Sequence, residues 1–227
     1  MLYGVYRYNI VKRNLITGLP SQIIAQIEQA AEIIRSGGVV AFPTDTVYGL
    51  GADIYNEESV RRVFLIKKRP HTMPVPVLIA RTEDARLLAE IDSEIAQKLM
   101  KSFWPGGLTI IFRSLLSLSS PVTGGTKKIG IRLPAHDITR LLILMSGTPI
   151  TGTSANLHNR EIALSAQEVK EQLGNSVDFI IDGGRSPRSI ESTIIDITVD
   201  PPAIIRYGII SKQEIEQIIQ PYKGIAE

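Results

Sequence analysis

Hydroxyl, carboxylate, amide and cationic side chains stand where several predicted strands end. They are Thr44, Asp45 and Thr46 after "GGVVAF", Arg132 in "IGIRLP", Ser154 and Asn156 after "PIT", Ser192 at the start of "STIID", and Arg206 at the end of "AIIR". In open α/β sheets, ligands bind where strands end and loops begin. Any one of these residues could serve only to cap a turn. Together they favour a site for a phosphate group and a small polar molecule.

The basic residues are clustered, although the net charge of the chain is only +2. Arginine and lysine pairs occur at Arg61-Arg62 and Lys127-Lys128, and a third cluster spans residues 67–69. Lys67 and Lys68 also stand near the end of a predicted helix, where cations interact favourably with the helix dipole. Local clusters of this kind suit an anionic ligand of limited size better than a long nucleic-acid track.

Several kinds of chemistry are excluded by the residues present. The chain has no cysteine, no Gly-Lys dipeptide of a Walker A loop, no H-E-x-x-H and no G-x-G-x-x-G. "GTSAN" begins like the G-x-S-x-G nucleophile elbow of hydrolases, but Asn156 replaces its last glycine. His71, His136 and His158 are scattered singly, so they are interpreted as surface histidines rather than metal ligands or members of a triad. No metal site is predicted.

Helices and strands alternate along the chain, with some strands in succession, which predicts a single-domain α/β fold around a mixed sheet. Helices are predicted near 21–36, 57–67, 93–103 and 137–145, and residues 114–127 are predicted to be a long Ser/Gly loop. Residues 1–17 fall outside this pattern as an N-terminal extension, which places the domain at 18–220. No apolar stretch is long enough to span a bilayer and no secretory signal is evident, so no membrane association and a cytoplasmic location are expected.

The order of the motifs resembles that of the YrdC family over roughly residues 20–210. The motifs are "GGVVAFPTDTVYGLGAD", "KKRPHTMPVPVLI", "FWPGGLTIIF", "IGIRLP", "PITGTSAN" and "ESTIIDI…IIRYG". The resemblance implies a twisted α/β sheet with a basic concave cavity. It also implies a nucleotidyltransferase, L-threonylcarbamoyladenylate synthase, which makes L-threonylcarbamoyladenylate and pyrophosphate from L-threonine, bicarbonate and ATP for the t6A modification of tRNA.

The resemblance also assigns roles to individual residues. The threonine contacts it implies are Thr46, Arg132, Gly152 and Ser192, and the ATP contacts are Lys67, Arg69, Lys128, Ser154, Asn156 and Arg206. Lys67, Arg69 and Arg132 are the implied catalytic residues. The longer family members tend to have Asn-Pro and then a histidine after Arg-Pro. Here Met73, Pro74 and Leu78 stand at those places, so the contacts of that asparagine and histidine are not transferred.

The remaining expectations concern cofactors, partners and other functions. Mg²⁺ is expected on the triphosphate without a carboxylate cage supplied by the protein, and tRNA and a downstream threonylcarbamoyl-transferase are candidate partners. One alternative is a module that binds tRNA or double-stranded RNA, although aromatic residues make up only 6% of the chain and base stacking would need them. The other alternative is a carbamoyl-transfer module of the hydrogenase-maturation type.

Overall fold

The computed structural model describes residues 11–70, 72–118 and 120–219. His71 and the residues beyond 219 therefore lie outside the described part. The strands are β1 (Val40–Phe42), β2 (Gly49–Gly51), β3 (Val77–Leu78), β4 (Leu108–Arg113), β5 (Lys128–Arg132), β6 (Ile150–Thr151), β7 (Thr153–Ser154), β8 (Phe179–Ile180), β9 (Thr193–Asp196) and β10 (Ala203–Arg206). The helices are α1 (Ser21–Arg35), α2 (Glu57–Lys67), α3 (Glu94–Phe103), α4 (Ser120–Thr123), α5 (Asp137–Ser146), α6 (Ala166–Leu173) and α7 (Lys212–Ile219), with 3-10 turns at Thr82–Leu87 and Gly174–Ser176.

The strands form two mixed sheets, which confirms the predicted mixed α/β class. One sheet has the order β7-β2-β1-β8 and the other has the order β10-β9-β4-β5-β3-β6. Each sheet contains both parallel and antiparallel pairs: β1 is parallel to β8 and antiparallel to β2, and β4 is parallel to β9 and antiparallel to β5. The expectation of one sheet was therefore too simple.

Gly152 explains why the segment "PITGTSAN" belongs to both sheets. Ile150–Thr151 pairs with β3, whereas Thr153–Ser154 pairs with β2. Between these two short strands, the Gly152 amide donates to the carbonyl of Pro76 at 2.8 Å. A Cβ at this position would lie only 2.3 Å from Cγ of the Leu78 side chain, so the packing of Leu78 against the backbone requires glycine here. The chain crosses here from one sheet to the other.

Helix α2 begins and ends where the sequence predicts, and its end directs Arg69. The Asn56 side chain accepts a hydrogen bond from the Ser59 amide at 3.1 Å, which caps the first turn. At the other end Lys68 adopts a left-handed conformation with φ of 53°, and Pro70 follows shortly after. Because helical geometry stops at Lys68, the chain changes direction there. Arg69 is then placed next to the six-stranded sheet.

The core consists of three clusters of buried apolar side chains between the sheets and the helices. In one of them α1 packs against α5, with Ile27 and Leu142 fully buried. Residues 11–16 are helical and place Leu15 in the same cluster. Burying such a side chain contributes about 1.5–3 kcal/mol. The described part of the predicted extension therefore packs on the core, while the domain bounds at 18 and 220 stay a prediction.

The predicted loop 114–127 contains the short helix α4. Val122 is buried there, and Thr123 is buried beside it. The Ser/Gly-rich composition gives no sign of this buried apolar side chain, which fixes the segment against β5. Across the described ranges, no helix combines the length and the apolar character needed to cross a bilayer.

Candidate active site

Two neighbouring cavities collect most of the predicted site residues. The inner pocket, of about 20 Å³, is lined by Thr44, Thr46, Val47, Tyr48, Gly49, Leu78, Arg132, Gly152, Thr153, Ser154, Glu191, Ser192 and Arg206. The outer cavity, of about 570 Å³, is lined by Arg69, Thr72, Met73, Pro74, Val75, Pro76, Thr109, Ile111, Thr123, Thr126, Lys128, Gly130, Ile194, Asp196, Ile205 and Arg206. Arg206 lines both cavities. A separate cavity of about 330 Å³ near Tyr55 contains none of the predicted residues in its described lining.

One wall of the inner pocket is the turn that follows β1. The Thr44 hydroxyl accepts from the Thr46 amide at 3.1 Å and donates to the Val47 carbonyl at 2.7 Å, so the hydroxyl closes the turn. Gly49, in the next strand, lies over the ring of Phe42, where a Cβ would come within 2.8 Å of the ring. The glycine therefore lets the strand lie on the ring, and the turn presents the Thr46 hydroxyl to the pocket.

Arg132 is held by the protein from several sides. Its Nη2 donates to Asp45 Oδ1 at 2.7 Å, its Nη1 to Thr46 Oγ1 at 3.0 Å, and its Nε to the carbonyl of Gly106 at 3.0 Å. Burial lowers the pKa of Arg132, and the charge of Asp45 opposes that shift. Three of the five N–H groups of the guanidinium are thereby bonded to the protein. Asp45 belongs to the motif that sequence analysis singled out, but its role as the partner of Arg132 was not foreseen.

Arg206 lies at the boundary between the two cavities and bonds to residues there. Its Nε and Nη2 donate to the Ser192 carbonyl at 3.1 and 2.9 Å, and its Nη2 also donates to the Ser192 hydroxyl at 3.0 Å. Its Nη1 forms an ion pair with Glu191 at 2.9 Å. The Ser192 hydroxyl in turn lies 2.9 Å from the hydroxyl of Thr109, which lines the outer cavity. The guanidinium can therefore reach a ligand on either side.

Lys67 is buried and has three oxygen partners. Its Nζ donates to the carbonyl of Ser154, to the carbonyl of Asn156 at 2.7 Å, and to Asn156 Oδ1 at 3.2 Å. The Asn156 amide group donates onward to the Arg160 carbonyl at 2.7 Å. This network ties the end of α2 to the loop after β7. The assignment of Lys67 and Asn156 to ATP stays a prediction, since neither residue is part of the described lining of either cavity.

Lys67 should make the stability of the protein depend on pH. Burial, followed by the charge of Arg69, lowers the pKa of Lys67 to about 7, and Glu191 opposes the shift. An unfolded lysine titrates near 10.4, so between these values the unfolded state binds a proton that the folded state has lost, and stability rises with pH. We expect the unfolding free energy to rise from pH 7 to about 10, relative to that of Lys67→Met, by at most about 1.4 kcal/mol per pH unit.

Denaturant unfolding of both proteins across this pH range measures the difference, and the other titrating groups cancel in the comparison. Parallel curves for the wild type and Lys67→Met would contradict the prediction. They would mean that the three oxygen partners keep the ammonium charged up to about pH 10.

The cations of the outer cavity also have protein partners. Arg69 Nη2 donates to the Pro74 carbonyl at 3.1 Å, and Lys128 Nζ pairs with Asp196 at 2.8 Å. Burial lowers the pKa of Arg69, opposed by the charge of Glu191 and reinforced by that of Arg206. The cavity therefore combines positive charges at its edge with an apolar wall that includes Val75 and Ile205.

The residues predicted to bind threonine and those predicted to bind ATP mostly line different cavities. The four residues assigned to threonine, Thr46, Arg132, Gly152 and Ser192, all line the inner pocket. Of those assigned to ATP, three line the outer cavity (Arg69, Lys128, Arg206) and Ser154 lines the inner pocket. Sequence reasoning missed Glu191 as a site residue and assigned Asp45 no partner. His136 and His158 are half-buried rather than exposed, and no group of three potential metal ligands occurs among the described residues.

Comparison with known proteins places this chain in a family. A threonylcarbamoyl-AMP synthase of Pyrococcus abyssi is 41% identical over 194 residues, and one of Bacillus subtilis is 40% identical over 206 residues. The alignments cover 86% and 89% of this chain but only 57% and 60% of those relatives, so the chain spans little more than half their length. The crystal structure of P. abyssi Sua5 complexed with L-threonine has a TM-score of 0.84 at 40% identity, covering 88% of this chain and 58% of that one. The family model Sua5/YciO/YrdC, described as telomere recombination, matches residues 32–208, and the chain therefore belongs to the Sua5/YciO/YrdC family.

Proposed function

We propose that this chain is a threonylcarbamoyl-AMP synthase that acts on L-threonine, bicarbonate or CO₂, and ATP. The observation that carries the proposal is that all four residues assigned to threonine line one pocket beside a larger cationic cavity. The names of the relatives, and the threonine complex of Sua5, support this function over RNA binding and over carbamoyl transfer of the hydrogenase-maturation type.

The inner pocket suits the amino-acid part of the reaction. The neutral threonine amine adds to CO₂, which bicarbonate supplies by losing hydroxide, and gives up a proton to water to leave a carbamate. A carbamate oxygen then attacks the α-phosphorus of ATP, and the bond from that phosphorus to the bridging oxygen breaks to expel pyrophosphate. Arg132 and Arg206 offer N–H groups for the carboxylate and carbamate, which are both anions. The pocket as it stands has room for about one water molecule. Side chains at its mouth must therefore move when an amino acid enters.

The outer cavity suits the nucleotide. Its volume of about 570 Å³ lies within the usual range for small-molecule sites. Its apolar wall can take the base, while Arg69, Lys128 and Arg206 face the phosphates. Because an anionic carbamate must approach an anionic phosphate, the main contribution of the protein is to neutralise charge and align the two reactants. Arg206 stands where the two reactants would meet.

Magnesium would enter this site on the triphosphate. The carboxylate in the described lining of the outer cavity, Asp196, is already paired with Lys128, so it offers no ready cage for a metal. Bound Mg²⁺ would neutralise phosphate charge during pyrophosphate release. The adenylate product is a reactive mixed anhydride, so transfer to a threonylcarbamoyl-transferase partner, and from there to tRNA, is part of the proposal.

The test is incubation of the protein with ATP, L-threonine, bicarbonate and Mg²⁺, followed by product analysis. We expect pyrophosphate and L-threonylcarbamoyladenylate in equal amounts, with formation of both dependent on threonine and bicarbonate. Release of ADP and phosphate instead would identify an ordinary ATPase and overturn the proposal. Salt-sensitive RNA binding without nucleotide turnover would favour the RNA-binding alternative.

Threonine should be used in preference to valine, which has nearly the same shape but lacks the hydroxyl. The hydroxyls of Thr46 and Ser192 line the inner pocket together with Arg132. A buried polar group left without a partner costs about 1–3 kcal/mol, so we expect valine to be used about 5- to 150-fold less efficiently. Pyrophosphate release measured with each amino acid tests this. Equal rates would mean that the inner pocket does not read the threonine side chain.

A further inference from the structure

Glu191 is a carboxylate placed among the cations of the site. It is paired with Arg206 at 2.9 Å, and its charge acts on the pKa of Lys67, Arg69 and Arg132. Among the described residues that line the inner pocket, Glu191 is the only acidic one. Glu191 neutralises part of the charge of these cations, and it repels an anionic ligand. The same carboxylate offers a partner for a positively charged group on a ligand.

The two ion pairs near the inner pocket differ in how far their side chains are exposed to solvent. The Asp45 and Arg132 side chains are 15% and 7% exposed, whereas those of Glu191 and Arg206 are 31% and 34% exposed. The Glu191 side chain can therefore turn away from Arg206 without leaving a fully buried charge unpaired. Arg206 would keep its position, because its Nε and Nη2 stay bonded to Ser192.

The backbone of Glu191 is fixed even though its side chain is partly exposed. Its carbonyl accepts a hydrogen bond from the Ile209 amide at 3.0 Å. Gly208 packs directly on this segment, where a Cβ would lie 2.4 Å from the Glu191 carbonyl oxygen. The carboxylate is thus carried on a rigid base at the mouth of the pocket.

We propose that Glu191 binds the ammonium group of the amino-acid substrate and makes the pocket prefer a zwitterion to a simple anion. An α-amino acid carries its ammonium and its carboxylate on the same carbon, so it matches an acid and an arginine held side by side. Without Glu191 the polar side chains in the described lining of the pocket would be cations and hydroxyls only, and small anions such as phosphate would compete with the amino acid. The inference rests on the proposed use of threonine.

Calorimetric titration with two ligands tests this role. The ligands are L-threonine and (3R)-3-hydroxybutyrate, which keeps the carboxylate and the hydroxyl but lacks the amine. We expect the wild-type protein to prefer threonine, and Glu191→Gln to reduce that preference by about tenfold or more, with tighter binding of hydroxybutyrate. Glu191→Asp, which keeps the charge on a shorter side chain, should recover part of the preference.

Asp178→Asn is the matched control, because it removes a carboxylate that is also paired with an arginine and is about as exposed as Glu191, but is absent from the described lining of both cavities. It should leave the preference for threonine over hydroxybutyrate unchanged. An unchanged preference in Glu191→Gln, with an unchanged melting temperature, would overturn the inference. So would a wild-type protein that binds both ligands equally.

Pyrophosphate release keeps this test separate from that of the proposed function. A wild-type protein that makes the adenylate, together with a Glu191→Gln variant that keeps full ligand preference, refutes the inference alone. A ligand preference that depends on Glu191 in a protein that makes no adenylate refutes the proposed function and leaves the inference standing.

Discussion

Replacing Arg206 with alanine is expected to lower the rate of adenylate formation by two or more powers of ten, or about 3 kcal/mol. Arg206 lines both cavities and holds the Ser192 hydroxyl on the side where the amino acid would bind. A guanidinium at the meeting point of carbamate and phosphate can stabilise the charge that develops on both during transfer. Its removal should therefore affect the transition state more than the binding of either substrate.

Comparison with other arginine variants separates this role from a structural one. Arg206→Lys should recover only part of the rate, since an ammonium cannot reproduce the planar two-pronged contact. Arg69→Ala should also slow the reaction by two or more powers of ten. Arg61→Ala is the control, because Arg61 is exposed on α2 and pairs only with Glu57 in the described structure. It should change the stability by less than about 0.5 kcal/mol and leave the rate unchanged.

Rates and melting temperatures are to be measured on the same preparations. A normal rate for Arg206→Ala would remove this residue from the reaction. A much lower melting temperature would instead show that the contacts of Arg206 with Glu191 and Ser192 mainly hold β9 and β10 together.

The sequence predicts local structure where the signals are local. The bounds of α2 are predicted correctly because Asn56 caps its start and Pro70 follows its end. The segment around Gly152 was predicted as one strand and a loop, because the close approach to Leu78 that splits it depends on a residue distant in sequence. For the same reason the burial of Val122 was missed inside a polar loop.

The sequence identifies which residues line the candidate site better than it identifies the hydrogen bonds and ion pairs that those residues form. The four residues that the motif resemblance assigns to threonine line one pocket, and their contact with threonine stays a prediction. The resemblance did not reveal that Lys67 would donate to the loop after β7, or that Asp45 would pair with Arg132. A carboxylate in a sequence shows its charge but not its partner, and Asp45 and Arg132 are 87 residues apart. Ion pairs of this kind become visible only in the folded structure.

Replacing Arg132 with methionine is expected to lower the free energy of unfolding by about 3–5 kcal/mol. Both Arg132 and Asp45 are largely buried, and the arginine also bonds to Thr46 and to the Gly106 carbonyl. Methionine fills a similar volume but leaves the Asp45 carboxylate desolvated without its counter-ion, which is the main cost. The substitution should also abolish threonine-dependent pyrophosphate release, because the wall of the inner pocket is then no longer held in place.

A double-variant cycle with Asp45→Asn attributes this cost to the pair. In Asp45→Asn/Arg132→Met neither charge is left without a partner, so we expect the double variant to be more stable than Arg132→Met alone, even though it carries one more substitution. Denaturant unfolding of the four proteins, with equal m-values, gives the coupling energy. The exposed Glu57–Arg61 pair provides the reference, with an expected contribution of at most about 1 kcal/mol. If Arg132→Met cost no more than this reference pair, the carboxylate of Asp45 would not depend on Arg132. Loss of activity in the same variant would then come from the lost contact of the guanidinium with the substrate alone, and not also from a weakened pocket wall.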